Sequence, residues 1–354
     1  MKQISTALIC AALTLVVGCR SVGPRTIPRD RFDYSGALAE SWKNQMLLNL
    51  VKTRYLDVPI YLDVGQIVSG YTWETGANIN GEIARTGAGD TFLGVGGYGR
   101  FTDRPTITYT PMIGEKFLES YLTPINPVKV MSLIQAGYSA DFVLELTVDS
   151  LNGLRNWPSR LASRQKADPE FFQVLRLLHD IQDAGGIGLR MEAPTNGLPK
   201  VLFFFREDRT EPGVAGKAAE VKQLLGIREG ETLFRLVQSP VRAEMGELAI
   251  ATRSLSQLME VLSRGVEIPP THVQRRLLPP TPAAVAEEQP LLHIHSGPDK
   301  PDGVFVGVPY EGQWFWIAND DWKSKRTFSS ILFLFTLANA GTVQQMPTLT
   351  IPAQ

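Results

Sequence analysis

The stretch GVGGYGRFTDRPTITYT, residues 94–110, decides how the first half of the chain is built. Its glycines at 94, 96 and 99 have the G-x-G-x-x-G spacing of a turn that cradles a dinucleotide phosphate. Such a turn works only between a buried strand and a helix N-terminus, whose unpaired backbone donors hold the phosphate. Here the glycines run into Pro105 and the β-branched alternation of Thr106, Ile107 and Thr108, with no helix start. The stretch therefore reads as a strand, and no nucleotide is expected. Its glycines relieve crowding and permit strong twist.

Working outward, Tyr71, Trp73, Thr75, Ala77, Ile79, Gly81 and Ile83 alternate with Thr72, Glu74, Gly76, Asn78, Asn80 and Glu82. A period of two is a strand with one apolar and one polar face. The loop ARTGAGD at 84–90 joins it to the glycine-rich strand, giving a long hairpin over residues 71–109. Before it, residues 35–55 carry a plausible N-cap at Ser35 and an apolar stripe of Leu38, Trp42, Met46, Leu47, Leu50, Val51 and Tyr55. That spacing predicts an amphipathic helix.

Beyond the hairpin, helices are expected at 114–122, 127–137 and 139–154, the last capped by Ser139. The polar run NWPSRLASRQKADP, residues 156–169, is the best domain boundary. A helix (169–186), strands at 188–192 and 201–206 around the Asn196-Gly197 turn, a helix (215–225), a strand (231–239) and a helix (253–265) follow. Residues 269–290 are a proline-rich excursion; then come LLHIHSG, a VFVGVPY–QWFWIAN hairpin and a helix over 321–340. The fold class is α+β: an amphipathic helix, a long glycine-rich hairpin and helices, then a mixed, largely antiparallel sheet domain with packed helices. The expected division is 1–18, 19–34, 35–156 and 157–354.

The chain opens MKQISTALICAALTLVVGCR, with Lys2 ahead of an apolar run over residues 7–17. A bilayer span needs about 20 apolar residues, so this run reads as an export signal. Its end, Val16-Val17-Gly18-Cys19, resembles the lipobox of bacterial lipoprotein precursors. The resemblance implies that the Cys19 thiol receives a diacylglycerol, that the chain is cut before it, and that further acyl chains such as palmitate anchor it to membrane lipid. Arg20, where inner-membrane lipoproteins tend to carry Asp, implies the outer membrane, facing the periplasm. Cys10 lies in the signal, so the mature chain has no disulfide, and its stability must come from a core that 44% hydrophobic composition readily supplies.

A net charge of −1 excludes the broad basic surface of a nucleic-acid binder. Residues 19–34 carry Arg20, Arg25, Arg29 and Arg31 among prolines and read as an extended tether.

Several clusters were weighed as chemistry. His293 and His295 lie two apart on a strand and face one side, so they could share a metal with Asp299 or Asp302, yet no third ligand is fixed. Trp314 and Trp316 share a strand face near Lys323, Lys325 and Arg326, a possible aromatic and basic groove for an envelope polymer, although a core hairpin explains the same residues. Tyr71, Trp73, Tyr98 and Phe101 could anchor the hairpin at a membrane, as barrel strands do. His179 reads as a packed or surface residue, and His272 as solvated. No G-x-S-x-G elbow occurs, Ser296 and its neighbour His295 point to opposite faces, and 36 acidic residues make any carboxylate pair arbitrary. The expectation is a non-enzymatic binding or assembly component of the envelope, without cofactor, partnered by another envelope protein or by itself. The alternatives are a subunit of an outer-membrane pore that contributes the 71–109 hairpin, and an envelope hydrolase or metal enzyme.

Overall fold

The computed structural model describes residues 23–68, 70–82, 92–159, 165–192, 200–206, 213–228, 230–278 and 290–339. The lipobox, Cys19 and the hairpin tip lie outside these residues. Among the described residues the chain divides into two bodies, one holding residues 23–42 and Leu62–Pro111, the other Lys43–Tyr61 and residues 112–339. Helices and mixed sheets make the fold α+β.

Helix α1 spans Gly23–Arg54, so it starts well before Ser35 and takes in the stretch expected to be extended. The reason is local. The Ser35 hydroxyl donates back to the Arg31 carbonyl at 2.5 Å and caps nothing, and the helix runs through Pro28 near its start. Arg29 is paired with its neighbour Asp30 at 3.0 Å. From Met46 onward the spacing is obeyed, with Met46, Leu47, Leu50, Val51 and Tyr55 buried, whereas Trp42, expected on the same stripe, is 45% exposed.

The first body is a two-stranded ribbon with the N-terminal half of α1. Strand β1 (Leu62–Val68) pairs antiparallel with β4 (Thr106–Pro111), and β2 (Tyr71–Glu82) with β3 (Phe92–Asp103). The two ladders are in phase. Val68 faces Thr106 and Tyr71 faces Asp103, so the register carries across the interruption, where the Arg104 amide donates to the Gly70 carbonyl at 2.9 Å. One irregularity lies between Val64 and Gln66. At Gly76 the Tyr98 ring opposite lies across the strand, and a Cβ would come within 2.2 Å of that ring, so any other residue displaces it. This aromatic cover of a strand glycine compensates for the missing side chain.

The second body is built on a six-stranded sheet in the order β6-β5-β10-β9-β8-β7. Its strands are β5 (Val148–Leu151), β6 (Leu154–Arg155), β7 (Ile187–Glu192), β8 (Lys200–Phe205), β9 (Leu233–Val237) and β10 (Glu247–Thr252). Only β9 and β10 run parallel. Helices α3 (Pro127–Gln135), α4 (Ala140–Thr147), α5 (Pro169–Asp183) and α6 (Val214–Leu224) join its core through Val130, Leu144, Phe171 and Val221. Preceding them is α2 (Glu115–Leu122).

Two expectations change here. The helix expected to run to residue 154 ends at Thr147, where the β-branched Thr147-Val148 pair turns the chain into β5. The expected boundary at 156/157 divides nothing, because β5 pairs directly with β10 and is central to the sheet that contains the later strands.

Arg253 holds this corner together. It is fully buried, and its guanidinium donates to the carbonyls of Glu145 (2.8 Å), Leu146 (2.8 Å) and Trp157 (2.6 Å). Glu145 and Leu146 end α4, so a cation there satisfies carbonyls the helix leaves open and complements its dipole.

A smaller sheet, β11-β13-β12, is formed by His295–Gly297, Gln313–Ile317 and Val306–Tyr310 respectively. It is accompanied by α7 (Leu255–Ser263), α8 (Pro270–Gln274) and α9 (Trp322–Asn339). Its buried face carries Val306, Val308, Phe315 and Ile317, beside Ile294. His272, expected to be solvated, is 1% exposed: Tyr55 bonds its Nδ1 at 2.7 Å, and the Glu311 carbonyl lies 3.2 Å from its Nε2. The short α8 tucks it under the Tyr55 ring.

Candidate functional site

Two features stand out among the described residues. The first is the ribbon. Among the described residues neither of its ladders pairs with a third strand, so each ladder is a two-stranded sheet. All of β4 is exposed, as is most of β1. Its register places apolar residues on one face: Ile67 opposes Ile107, Val64 opposes Tyr109, and Tyr71 stacks on Phe101 at 5.8 Å. Tyr109 is 57% exposed and Phe101 47%. The other face is polar, with Glu74 opposite Arg100 and Thr72 opposite Thr102. Of the residues proposed as membrane anchors, Tyr71 and Phe101 meet, and Trp73 is paired with Phe101. Tyr98 falls on the other parity and covers Gly76. The Tyr71 hydroxyl also donates to the Asp30 carboxylate of α1, which ties the middle of the ribbon to that helix.

The second feature is a trio of ligand-bearing side chains on the second body. His293 and His295 flank the buried Ile294, and their rings lie 4.2 Å apart, centre to centre. Sequence reasoning offered Asp299 or Asp302 as a third donor; the structure supplies Glu267 instead. The Nδ1 of His295 is 3.8 Å from Oε2 of Glu267, and one ligand atom from each of Glu267, His293 and His295 lies within 4.8 Å of the others.

Local chain geometry makes this meeting. After α7, whose start is fixed by a Ser254–Gln257 capping box, the chain turns at Gly265 and forms a parallel bridge from Val266 to Ile294. Ile294 donates to the Gly265 carbonyl and Glu267 to the Ile294 carbonyl, both at 2.8 Å. Only glycine fits at 265, since a Cβ there would lie 1.6 Å from the Leu292 carbonyl oxygen. The Glu267 carboxylate accepts from the Ser296 amide at 3.1 Å.

From the other side, the His293 amide donates to Ser324 Oγ at 2.9 Å, and that hydroxyl donates to Asp321 at 2.5 Å. Desolvation pushes the Asp321 carboxyl up, but hydrogen bonds from Ser324 and the nearby imidazoles outweigh it and hold the group below the usual carboxylate range. No sequence signal could have found Glu267, which is far from the histidines along the chain.

Trp316 stacks beneath His295 at 5.6 Å, and Lys300 lies 5.6 Å from the Trp314 ring. The expected basic groove does not assemble around these indoles. Lys325 bonds Asn319 at 2.9 Å and lies over Phe305, whereas Arg326 lies 4.1 Å from the Phe142 ring centre. Lys323 is exposed and has no described contact with either indole.

Two further places in the second body invite comparison with catalytic sites. Ser139 Oγ is 3.3 Å from His179 Nδ1, and His179 Nε2 is 3.6 Å from Asp183; of these three residues His179 lines an open groove of about 560 Å³. The Ser139 proton goes to Asp141, however, within a surface network at the start of α4, so the serine is not primed by the imidazole. The void in the main core, about 10 Å³ and wholly apolar, is too small for a substrate.

No helix among the described residues is long and apolar enough to cross a membrane. No protein-family model, curated protein or solved structure matches the chain.

Proposed function

We propose that the protein is an assembly subunit of the bacterial envelope, fastened to the outer membrane through acylated Cys19, whose ribbon joins edge to edge with ribbons of further copies. The single observation that supports this most is the in-phase two-stranded ladder from Leu62 to Pro111, which no third strand joins among the described residues. An isolated two-stranded ribbon is marginal in water and a template for strand addition. Identical ribbons set side by side place the 62–82 arm of one against the 92–111 arm of the next. Every new pair is then antiparallel, the contact is heterologous, and repetition closes a ring.

A second reading rests on the alternation itself. Each arm of about 20 residues, at about 3.4 Å per residue, reaches roughly 70 Å, more than a bilayer needs. With one apolar and one polar face, a closed set of ribbons fits an outer-membrane pore. The Glu74–Arg100 pairing would then face the lumen.

The experiment is cross-linking in detergent extracts, comparing the intact chain with one in which residues 69–105 are replaced by an Asn-Gly turn. Single cysteines at the exposed Thr72 and the half-buried Thr102, Thr72→Cys and Thr102→Cys in separate chains, are mixed. Mixed, these two should give a cross-linked dimer, and a lysine-directed cross-linker on the intact chain should give a ladder ending at one defined size, absent from the shortened chain. A monomer in both preparations overturns the proposal.

A further inference from the structure

We infer that Glu267, His293 and His295 form a binding site for a divalent transition metal of the zinc class, independent of the ribbon. The donors are two imidazole nitrogens and one carboxylate oxygen, a set that zinc and its neighbours favour over magnesium or calcium, which take oxygen alone. The spacing is close to what such an ion needs. At metal–ligand distances of about 2.0–2.1 Å, tetrahedral donors sit about 3.3 Å apart. Glu267 and His295 already stand 3.8 Å apart, and the full trio within 4.8 Å, so small side-chain rotations close it.

The backbone beneath the donors is fixed. Glu267 and His293 adjoin the two residues of the Val266–Ile294 bridge, and His295 is in register with Trp316 on β13. The Ser296 amide orients Glu267, the Trp316 ring backs His295, and Ser324, held by Asp321, fixes the His293 amide. Such supporting contacts are what separates a usable ligand set from a chance grouping. The Glu267 and Asp321 carboxylates both act on the imidazoles, so a dication entering there meets negative charge. Glu267 and His293 are exposed and His295 half-buried, which gives an ion a path from solvent. Three protein donors leave a fourth position for water or a donor from another molecule.

The test uses the untagged full chain in detergent, with Cys10→Ala and Cys19→Ala so that no thiol competes. After treatment with chelator, zinc is titrated by calorimetry and cobalt(II) by visible absorption. One equivalent should bind, with the tetrahedral cobalt spectrum. His293→Ala and His295→Ala should each weaken binding about a hundredfold and Glu267→Gln about tenfold, whereas His179→Ala should leave it unchanged. The chain with the shortened ribbon should still bind, which separates this site from the assembly proposal. No saturable equivalent, or undiminished binding by a folded double variant lacking both histidines, overturns the inference.

Discussion

Replacing Arg253 with Met removes a buried cation while keeping an unbranched side chain in its place. The Glu145 carbonyl keeps its bond from the Asn156 side-chain amide, whereas the carbonyls of Leu146 and Trp157 lose their charge-assisted donors. A buried acceptor left unsatisfied costs about 1–3 kcal/mol. The nearest carboxylate to Nε, Asp149 at 3.9 Å, is 41% exposed and remains solvated when the guanidinium goes, so no buried counter-charge is stranded. Partial relaxation of the end of α4 sets the loss at about 4 kcal/mol, within the range for breaking a buried charged contact. Against a stability of about 5–15 kcal/mol this is a large fraction. With an m-value of about 3 kcal/mol/M, the urea midpoint should fall by more than 1 M, read by far-ultraviolet circular dichroism. Arg253→Lys, which keeps the charge but cannot span all three oxygens, should fall between Met and the parent. A Met variant within about 1 kcal/mol of the parent would refute the reasoning.

Gly265→Ala drives a Cβ into the Leu292 carbonyl and opens the Val266–Ile294 bridge; about 2–3 kcal/mol of stability should be lost, and zinc affinity should fall with it. Tyr55→Phe strands the His272 ring nitrogen and should cost about 1–2 kcal/mol in thermal unfolding. Burial pushes the Tyr55 hydroxyl up to about 12 from its ordinary 10.0, so its contribution is complete below the unfolded value and lost as pH rises through the folded one. Alkaline unfolding followed by circular dichroism should therefore be shallower in Tyr55→Phe. The hydrogen bonds from Arg155 hold Asp168 below its ordinary 3.8, so this pair stabilises above that pH and fails as acid titrates the folded group. Asp168→Asn should flatten the acid limb of a stability profile, and an unchanged limb would count against the pairing.

What could be read from the residues were features with strong periodicity. The α1 stripe buried only from Met46 onward, with Trp42 left exposed, and the alternation over 71–82 set the strand parity that the ladder adopts. Parity also separated Tyr98 from Phe101. Three kinds of feature escaped. The first was the start of α1, where Ser35 looked like a cap but bonds backward along the helix. The second was β10: its core, ELAIAT, is a short apolar run whose period does not distinguish strand from buried helix, so the centre of the main sheet went unread and a boundary was drawn through a connected body. The third was anything made by long-range pairing, above all Glu267, whose place beside the histidines depends on a parallel bridge that no local pattern announces.

The Met112 amide donates to the Tyr61 carbonyl at 2.9 Å, so the chain leaves the second body and returns to it at adjacent points. Everything between is a cassette. Its arms can lengthen, shorten or change sequence without altering what flanks the insertion, since Asn49 already clamps the approach by bonding both backbone groups of Ile60. Selection can thus tune reach and edge chemistry in the ribbon while the body that carries Glu267 and the histidines evolves under its own separate constraints.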